Sequence, residues 1–132
     1  MHLLLDTHTL IWWLAKNSTL SNTAKAAMPT ASFAIAHPDN IVFVSAASAW
    51  EIAIKKSLGK LQAPDDLKQQ LEMQRFTPLA INIDHALAIK QLPHHHQDPF
   101  DRILITQAIH ERLTIVSRDR IFKSYDVAIV ES

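Results

Sequence analysis

Cysteine is absent from the chain, which excludes disulfides, thiolate metal sites and cysteine nucleophiles. Glycine occurs once, at Gly59. A Walker loop, a G-x-G-x-x-G dinucleotide turn and a G-x-S-x-G nucleophile elbow each need more than one glycine. The usual ATP, GTP and NAD chemistries and the α/β-hydrolase mechanism are therefore excluded. Net charge is missing too, since 13 Lys and Arg balance 13 Asp and Glu. No global basic field marks a nucleic-acid binder, although a local patch stays open and 8 histidines gain charge as pH falls. No apolar run approaches the roughly 20 residues needed to cross a bilayer, and no charged leader with a cleavage site precedes the first strand pattern. A soluble, cytoplasmic protein without membrane contact is expected. Its 132 residues are enough for a single domain, 1–132, with its own core.

What is present begins with Leu3-Leu4-Leu5-Asp6-Thr7-His8-Thr9. Three leucines in a row read as a central strand of a parallel sheet, buried on both faces. An acid directly after such a strand stands where open α/β sheets place their ligands. The plainer alternative is that Asp6 caps the following helix, predicted over Thr9–Leu14. Lys16-Asn17-Ser18 breaks that pattern, and a second helix opens at Ser21, with Pro29 kinking it or starting another. Ile41–Ser45 is a β-branched strand, and the helix Ala46–Leu58 ends at Gly59, where a C-cap is expected. Pro64 is expected to start a helix to Gln74. Thr77–Ile81 reads as a strand, Asp84 as the cap of a helix to Gln91, Pro99–Arg112 as a long helix, Leu113–Ser117 as a strand and Asp126–Val130 as a weaker one. Strands separated by helices predict a three-layer α/β/α fold with a central parallel sheet of four to five strands.

Placed on these elements, the acids stand out. Glu51 shares a helical face with Ala47, Ile54 and Leu58, and Asp101 shares one with Leu104, Ile105 and Ala108. Asp119 follows the end of its strand as Asp6 does. A buried lone carboxylate costs several kcal/mol, so each must be paired, protonated or metal-bound. One account pairs Arg102 and Arg118 with their neighbouring acids and leaves the rest as helix caps. The other gathers Asp6, Glu51, Asp101 and Asp119 at one sheet edge as hard oxygen ligands for Mg²⁺ or Mn²⁺, a site that activates water and stabilises charge on a displaced phosphoryl group.

The runs Leu3–His8, Val44–Ala53, His96–Ile105 and Val116–Asp119 resemble, in that order and spacing, a PIN-domain ribonuclease, and most of all the VapC-type toxins of toxin–antitoxin pairs. The resemblance spans essentially the whole chain. It implies an α/β/α PIN-like fold, an acidic Mg²⁺ site cleaving RNA, and a cognate antitoxin. Carried over by position, the acids are Asp6, Glu51, Asp101 and Asp119, with Ser117 standing where many relatives have Thr and keeping its hydroxyl. Asp98 is set aside as the cap of the Pro99 helix. The expected function is a metal-dependent endoribonuclease, with a homodimer as the expected assembly. The alternatives are a haloacid-dehalogenase-like phosphatase, against which the absence of a second acid at His8 counts, and a catalytically inactive interaction module.

Lesser features complete the set. His94-His95-His96 resembles a metal tract, but consecutive loop residues rarely aim at one ion and Mg²⁺ prefers oxygen; His96 is kept as a candidate phosphate contact. Lys55, Lys56 and Lys60 form a solvated helix face or an RNA-backbone patch. Arg102 and Ser117 are candidate supporting residues. Trp12, Trp13 and Trp50 are expected mostly in the core.

Overall fold

Leu3, Leu4 and Leu5 are completely buried because they form the middle strand of a sheet covered on both faces. The computed structural model describes residues 1–19 and 29–131. Its elements run β1 (His2–Leu5), α1 (Thr7–Thr19), α2 (Pro29–Ala36), β2 (Ile41–Ser45), α3 (Ala46–Ser57), α4 (Leu67–Met73), β3 (Thr77–Leu79), α5 (Ile83–Ala88), α6 (Pro99–Glu111), β4 (Thr114–Ser117) and β5 (Ile129–Glu131), with 3₁₀ turns at Ile89–Gln91 and Arg120–Ser124.

The five strands pair in parallel in the order β3-β2-β1-β4-β5. Successive β1 side chains point to opposite faces. Leu3 and Leu5 pack with Leu10, Trp13 and Leu14 of α1 and with Val42 and Val44 of β2. Leu4 packs on the other side with Leu104, Ile105 and Ala108 of α6 and with Phe122. The expected α/β/α layering is thus the observed one. The chain moves one way from β1 to β3, then returns to the other side of β1 for β4 and β5. Between β1 and β4 lies the topological switch point, the place where open parallel sheets bind ligands.

Local chemistry explains the boundaries that differ from the sequence pattern. α1 continues through Lys16-Asn17-Ser18 instead of breaking there. The helix expected from Ser21 lies outside the described residues. Pro29 starts α2, but Pro64 starts nothing. The Lys56 ammonium takes the carbonyls of Ala63 and Pro64 at 2.8 and 3.1 Å and Asp65 beside them, so those carbonyls are unavailable to a helix and α4 begins only at Leu67. The cap of α5 is Asn82 and not Asp84. The Asn82 side chain accepts from the His85 amide at 2.8 Å, and His85 Nδ1 accepts from the Asn82 amide at 3.2 Å. This is a capping box with histidine in the third position. β3 stops at Leu79 and β5 starts at Ile129, both shorter or later than expected. Gly59 closes α3 as expected, with φ +68° and amides of Gly59 and Lys60 returning to Lys56 and Lys55, a Schellman ending. Trp13 is buried, whereas Trp50 is 61% exposed and lies edge-on against Phe100. It is a clasp between α3 and α6, not a core residue.

Asn82→Ala should lower unfolding stability by about 1 kcal/mol, while Asp84→Ala, which loses only a favourable charge near the helix start, should cost about 0.3 kcal/mol. Chemical denaturation of the two variants side by side checks the order, and equal losses would contradict this cap.

Candidate active site

Asp6 stands one residue past β1, yet its amide still donates to the Val116 carbonyl at 3.2 Å, so the ladder to β4 carries it onto the sheet edge. Its carboxylate is buried. Oδ1 accepts from the Thr9 amide at 2.8 Å and Oδ2 from the Ser117 hydroxyl at 2.5 Å. The first bond is a helix cap, and Asp6 also lines the same cleft as Asp119. Ser117 also accepts from the Asp119 amide at 3.0 Å, and Thr9 Oγ1 donates to the Val116 carbonyl at 3.2 Å.

Glu51 arrives from α3. Ser45, the last residue of β2, caps that helix through the Ala47 amide at 3.0 Å and donates to Gln107 Oε1 at 2.6 Å. Thr7 donates to Ser48 at 3.0 Å, pinning α3 to the start of α1. Glu51 and Ile52 of α3 are both buried, while Leu58, the far end of the expected stripe, is exposed. Glu51 Oε2 accepts from Lys55 at 2.6 Å. Its Oε1 is buried and, among the described residues, has no hydrogen-bond partner. Such an orphaned oxygen costs about 1–3 kcal/mol or more.

Asp101 comes from the first turn of α6. Asp98 caps that helix, its Oδ1 accepting from the Phe100 and Asp101 amides at 2.8 and 3.1 Å. The neighbouring acids are thereby separated: one holds the helix start, the other faces the sheet edge. Asp101 Oδ2 accepts from His96 Nε2 at 2.7 Å. Burial pushes its carboxyl up to about 6, with the Asp98 and Asp6 charges adding to the rise and His96 opposing it. Asp119 is exposed, and its Oδ1 accepts from the Ile121 amide at 3.0 Å. Ligand atoms of His96, Asp101 and Asp119 lie within 4.8 Å of one another. A cleft of about 370 Å³, lined by Asp6, His8, Thr9, Trp12, Arg118 and Asp119, opens beside them.

The remaining sequence candidates fall into distinct places. Arg102 is buried but pairs with no carboxylate among the described residues. Lys55 lies on Glu51, whose hydrogen bond raises the ammonium above its usual value, with the Asp98 and Asp101 charges contributing. Lys56 is committed to the 63–65 loop, and Lys60 is exposed. Arg118 forms no ion pair with Asp119 among the described residues. Sequence reasoning did not find Thr9, Ser45, Gln107 or Tyr125, whose partners are remote in the chain. It did not assign Lys55 to Glu51 either, although the i,i+4 spacing carries that signal.

In a second group that could hold a metal, His85, His110 and Glu111, the buried His85 is already committed. His85 Nδ1 accepts from the Asn82 amide, so its proton sits on Nε2, 2.9 Å from Glu111. A cation there would have to displace that proton.

His96, Asp101 and Asp119 form a group whose ligand atoms could hold a divalent cation. Asp6 and Glu51 are not part of that group, and the Glu51 oxygen that lacks a donor among the described residues is a separate buried acceptor. The fold and cluster define an α/β/α domain with a metal-capable acidic site at its switch point. The chain belongs to the PIN domain family, which it matches over residues 3–128; the phosphatase alternative is thereby set aside. Similar folds include VapBC2 of Rickettsia felis bound to a promoter DNA fragment, at TM-score 0.68 and 14% identity over 98% of this chain and 97% of that one. They also include FitAcB of Neisseria gonorrhoeae, at 0.61 and 20% over 98% and 96%. A Klebsiella pneumoniae toxin–antitoxin complex matches at 0.58 and 20% over 96% and 94%. Comparison with curated protein sequences gives no significant match. Among the described residues no helix is long and apolar enough to cross a membrane.

Because the folded protein holds Asp101 above its ordinary value of 3.8, the neutral form is favoured on folding. Its contribution to stability is fully present below about pH 4 and is lost as pH rises through about 6. In metal-free buffer the melting-temperature advantage of Asp101→Asn over the wild type should therefore widen from pH 4 to 6 and level off above. A gap independent of pH would contradict the burial of this charge.

Proposed function

We propose that this chain is a Mg²⁺- or Mn²⁺-dependent endoribonuclease, the toxin of a VapC-type toxin–antitoxin pair acting in the cytoplasm. The observation that carries the proposal is a buried Glu51 oxygen that, among the described residues, no protein donor meets; the proximity of Asp101 and Asp119 and the cleft shared by Asp6 and Asp119 support it. PIN domains are typically nucleases, and the structural neighbours are toxin–antitoxin complexes, which supports the same assignment.

Asp6, Glu51 and Asp101 would hold the metal, with Asp119 supporting it or a second ion. The chemistry a divalent ion supplies in such a site is activation of water and stabilisation of charge on a phosphodiester. The protein's own contribution is preorganisation. Ser117 and the Thr9 amide keep Asp6 from rotating. Ser48 and Ser45 fix the helix that presents Glu51. Lys55, which lies on Glu51, and exposed Lys60 would meet the RNA backbone. Neutral net charge makes such local contacts the main electrostatic attraction for RNA.

An unrestrained ribonuclease is harmful to its own cell, so a cognate antitoxin is part of the proposal. A Lys or Arg on its tail would find four carboxylates to bind. A homodimer is the proposed assembly, two-fold pairs being the commonest closed oligomers.

Asp6→Asn should reduce Mg²⁺-dependent RNA cleavage by at least about 100-fold, the loss expected when a charge-stabilising group is removed, without lowering the thermal midpoint, because one charge leaves a crowded acidic site. Cleavage that survives EDTA, or full activity in the Asn variant, would overturn the metal mechanism. Expression of the chain alone should arrest growth and co-expression with its antitoxin should restore it; harmless expression with no RNA cleavage in Mg²⁺ or Mn²⁺ would favour an inactive interaction module instead.

A further inference from the structure

We propose that His96 is the positioning residue for Asp101, gripping one carboxylate oxygen so that the other is presented to the acidic site. The inference rests on the metal-nuclease reading above and assigns a role that reading leaves open.

Every polar group of His96 is engaged. Its amide donates to Tyr125 Oη at 2.8 Å, and its carbonyl accepts from Arg102 Nη1 at 3.2 Å. Its Nδ1 accepts from the Gln97 amide at 3.1 Å. An Nδ1 that accepts leaves the ring proton on Nε2, and Nε2 lies 2.7 Å from Asp101 Oδ2. The ring is further held edge-on against Phe122. Asp101 Oδ1 accepts no hydrogen bond among the described residues, so the fixed bond on Oδ2 orients a free oxygen.

The loop that carries His96 is built for this. Arg102 is buried without a carboxylate partner among the described residues, an unfavourable arrangement unless other acceptors meet its two terminal nitrogens. Besides His96 it donates to the carbonyls of Pro93 at 2.9 Å, Leu92 at 3.2 Å and Ile89 at 3.4 Å, and to Tyr125 Oη at 3.5 Å. One guanidinium thus gathers the chain from residue 89 to 96 around the start of α6. The loop lacks a regular ladder, and Arg102 with Tyr125 replaces it. Adjacent Asp101 and Arg102 therefore point to different tasks, the acid to the site and the arginine to the loop that steadies the acid.

Direct metal ligation by His96 is a different arrangement. It would need the proton moved from Nε2 to Nδ1, where the Gln97 amide already points. Carboxylates that bind metals are commonly oriented by such outer donors, whose loss weakens metal binding about 10- to 100-fold.

The test is Mn²⁺ titration calorimetry on the purified full chain, comparing wild type with His96→Ala, His96→Gln and Tyr125→Phe. His96→Ala should weaken Mn²⁺ binding by about 10-fold or more in a metal-free chain that still melts in one cooperative transition. His96→Gln, whose amide nitrogen reaches the same region and keeps an N–H, should restore most of the affinity. Tyr125→Phe should fall between wild type and the alanine variant. Wild-type affinity in His96→Ala overturns the proposal, and so does an equal loss in the alanine and glutamine variants, which would make the imidazole a ligand itself. A wild-type chain that binds no Mn²⁺ fails at the metal-nuclease reading, one step earlier.

Discussion

The buried bond from Ser117 to Asp6, 2.5 Å long, joins the two strands on either side of the switch point. Around it the rest of the site is hung. The same hydroxyl receives the Asp119 amide, and Thr9 returns one bond to Asp6 and another to Val116. Asp6, Asp119 and the start of α1 therefore share one register, set by the pairing of Leu5 with Val116. Like charges gathered at a partly desolvated edge repel each other. They remain together only because the packed cores on both faces of the sheet hold their backbones fixed, and because each carboxylate has at least one protein donor.

Those donors form a consistent pattern. Asp6 is bonded on both oxygens, whereas Glu51 is held on one by Lys55, Asp101 on one by His96 and Asp119 on one by the Ile121 amide. Among the described residues three carboxylates thus keep one oxygen without a donor. The His85 group contrasts with this: its imidazole is bonded at both nitrogens and it behaves as a helix cap tied to α6.

Much of this was legible in the sequence because it is local. The leucine run named the central strand, the helical spacing turned Glu51 and Asp101 inward, and Pro99 marked Asp98 as a cap, leaving Asp101 for the site. Misplaced features were those decided by distant partners. Pro64 carries a helix-start signal, but Lys56 takes the carbonyls such a helix would need. Asp84 and Asn82 are both good caps, and the ring of His85 chose between them. Arg102 beside Asp101 suggested an ion pair, although neighbours in a helix point in different directions. The sequence suggests a phosphate contact for His96 and not its bond to Asp101, since no spacing rule connects a loop histidine to a helical acid. At 14–20% identity the structural neighbours share the fold; the chemistry rests on this chain's own side chains.

The central claim is that the carboxylates at the switch point form one divalent-metal site. Anomalous diffraction from crystals of the full chain soaked in Mn²⁺ tests it most directly. The account predicts a strong peak bounded by Asp6, Glu51 and Asp101, with Asp119 at its border. No peak at that edge, or a sole peak at His85, His110 and Glu111, would contradict it.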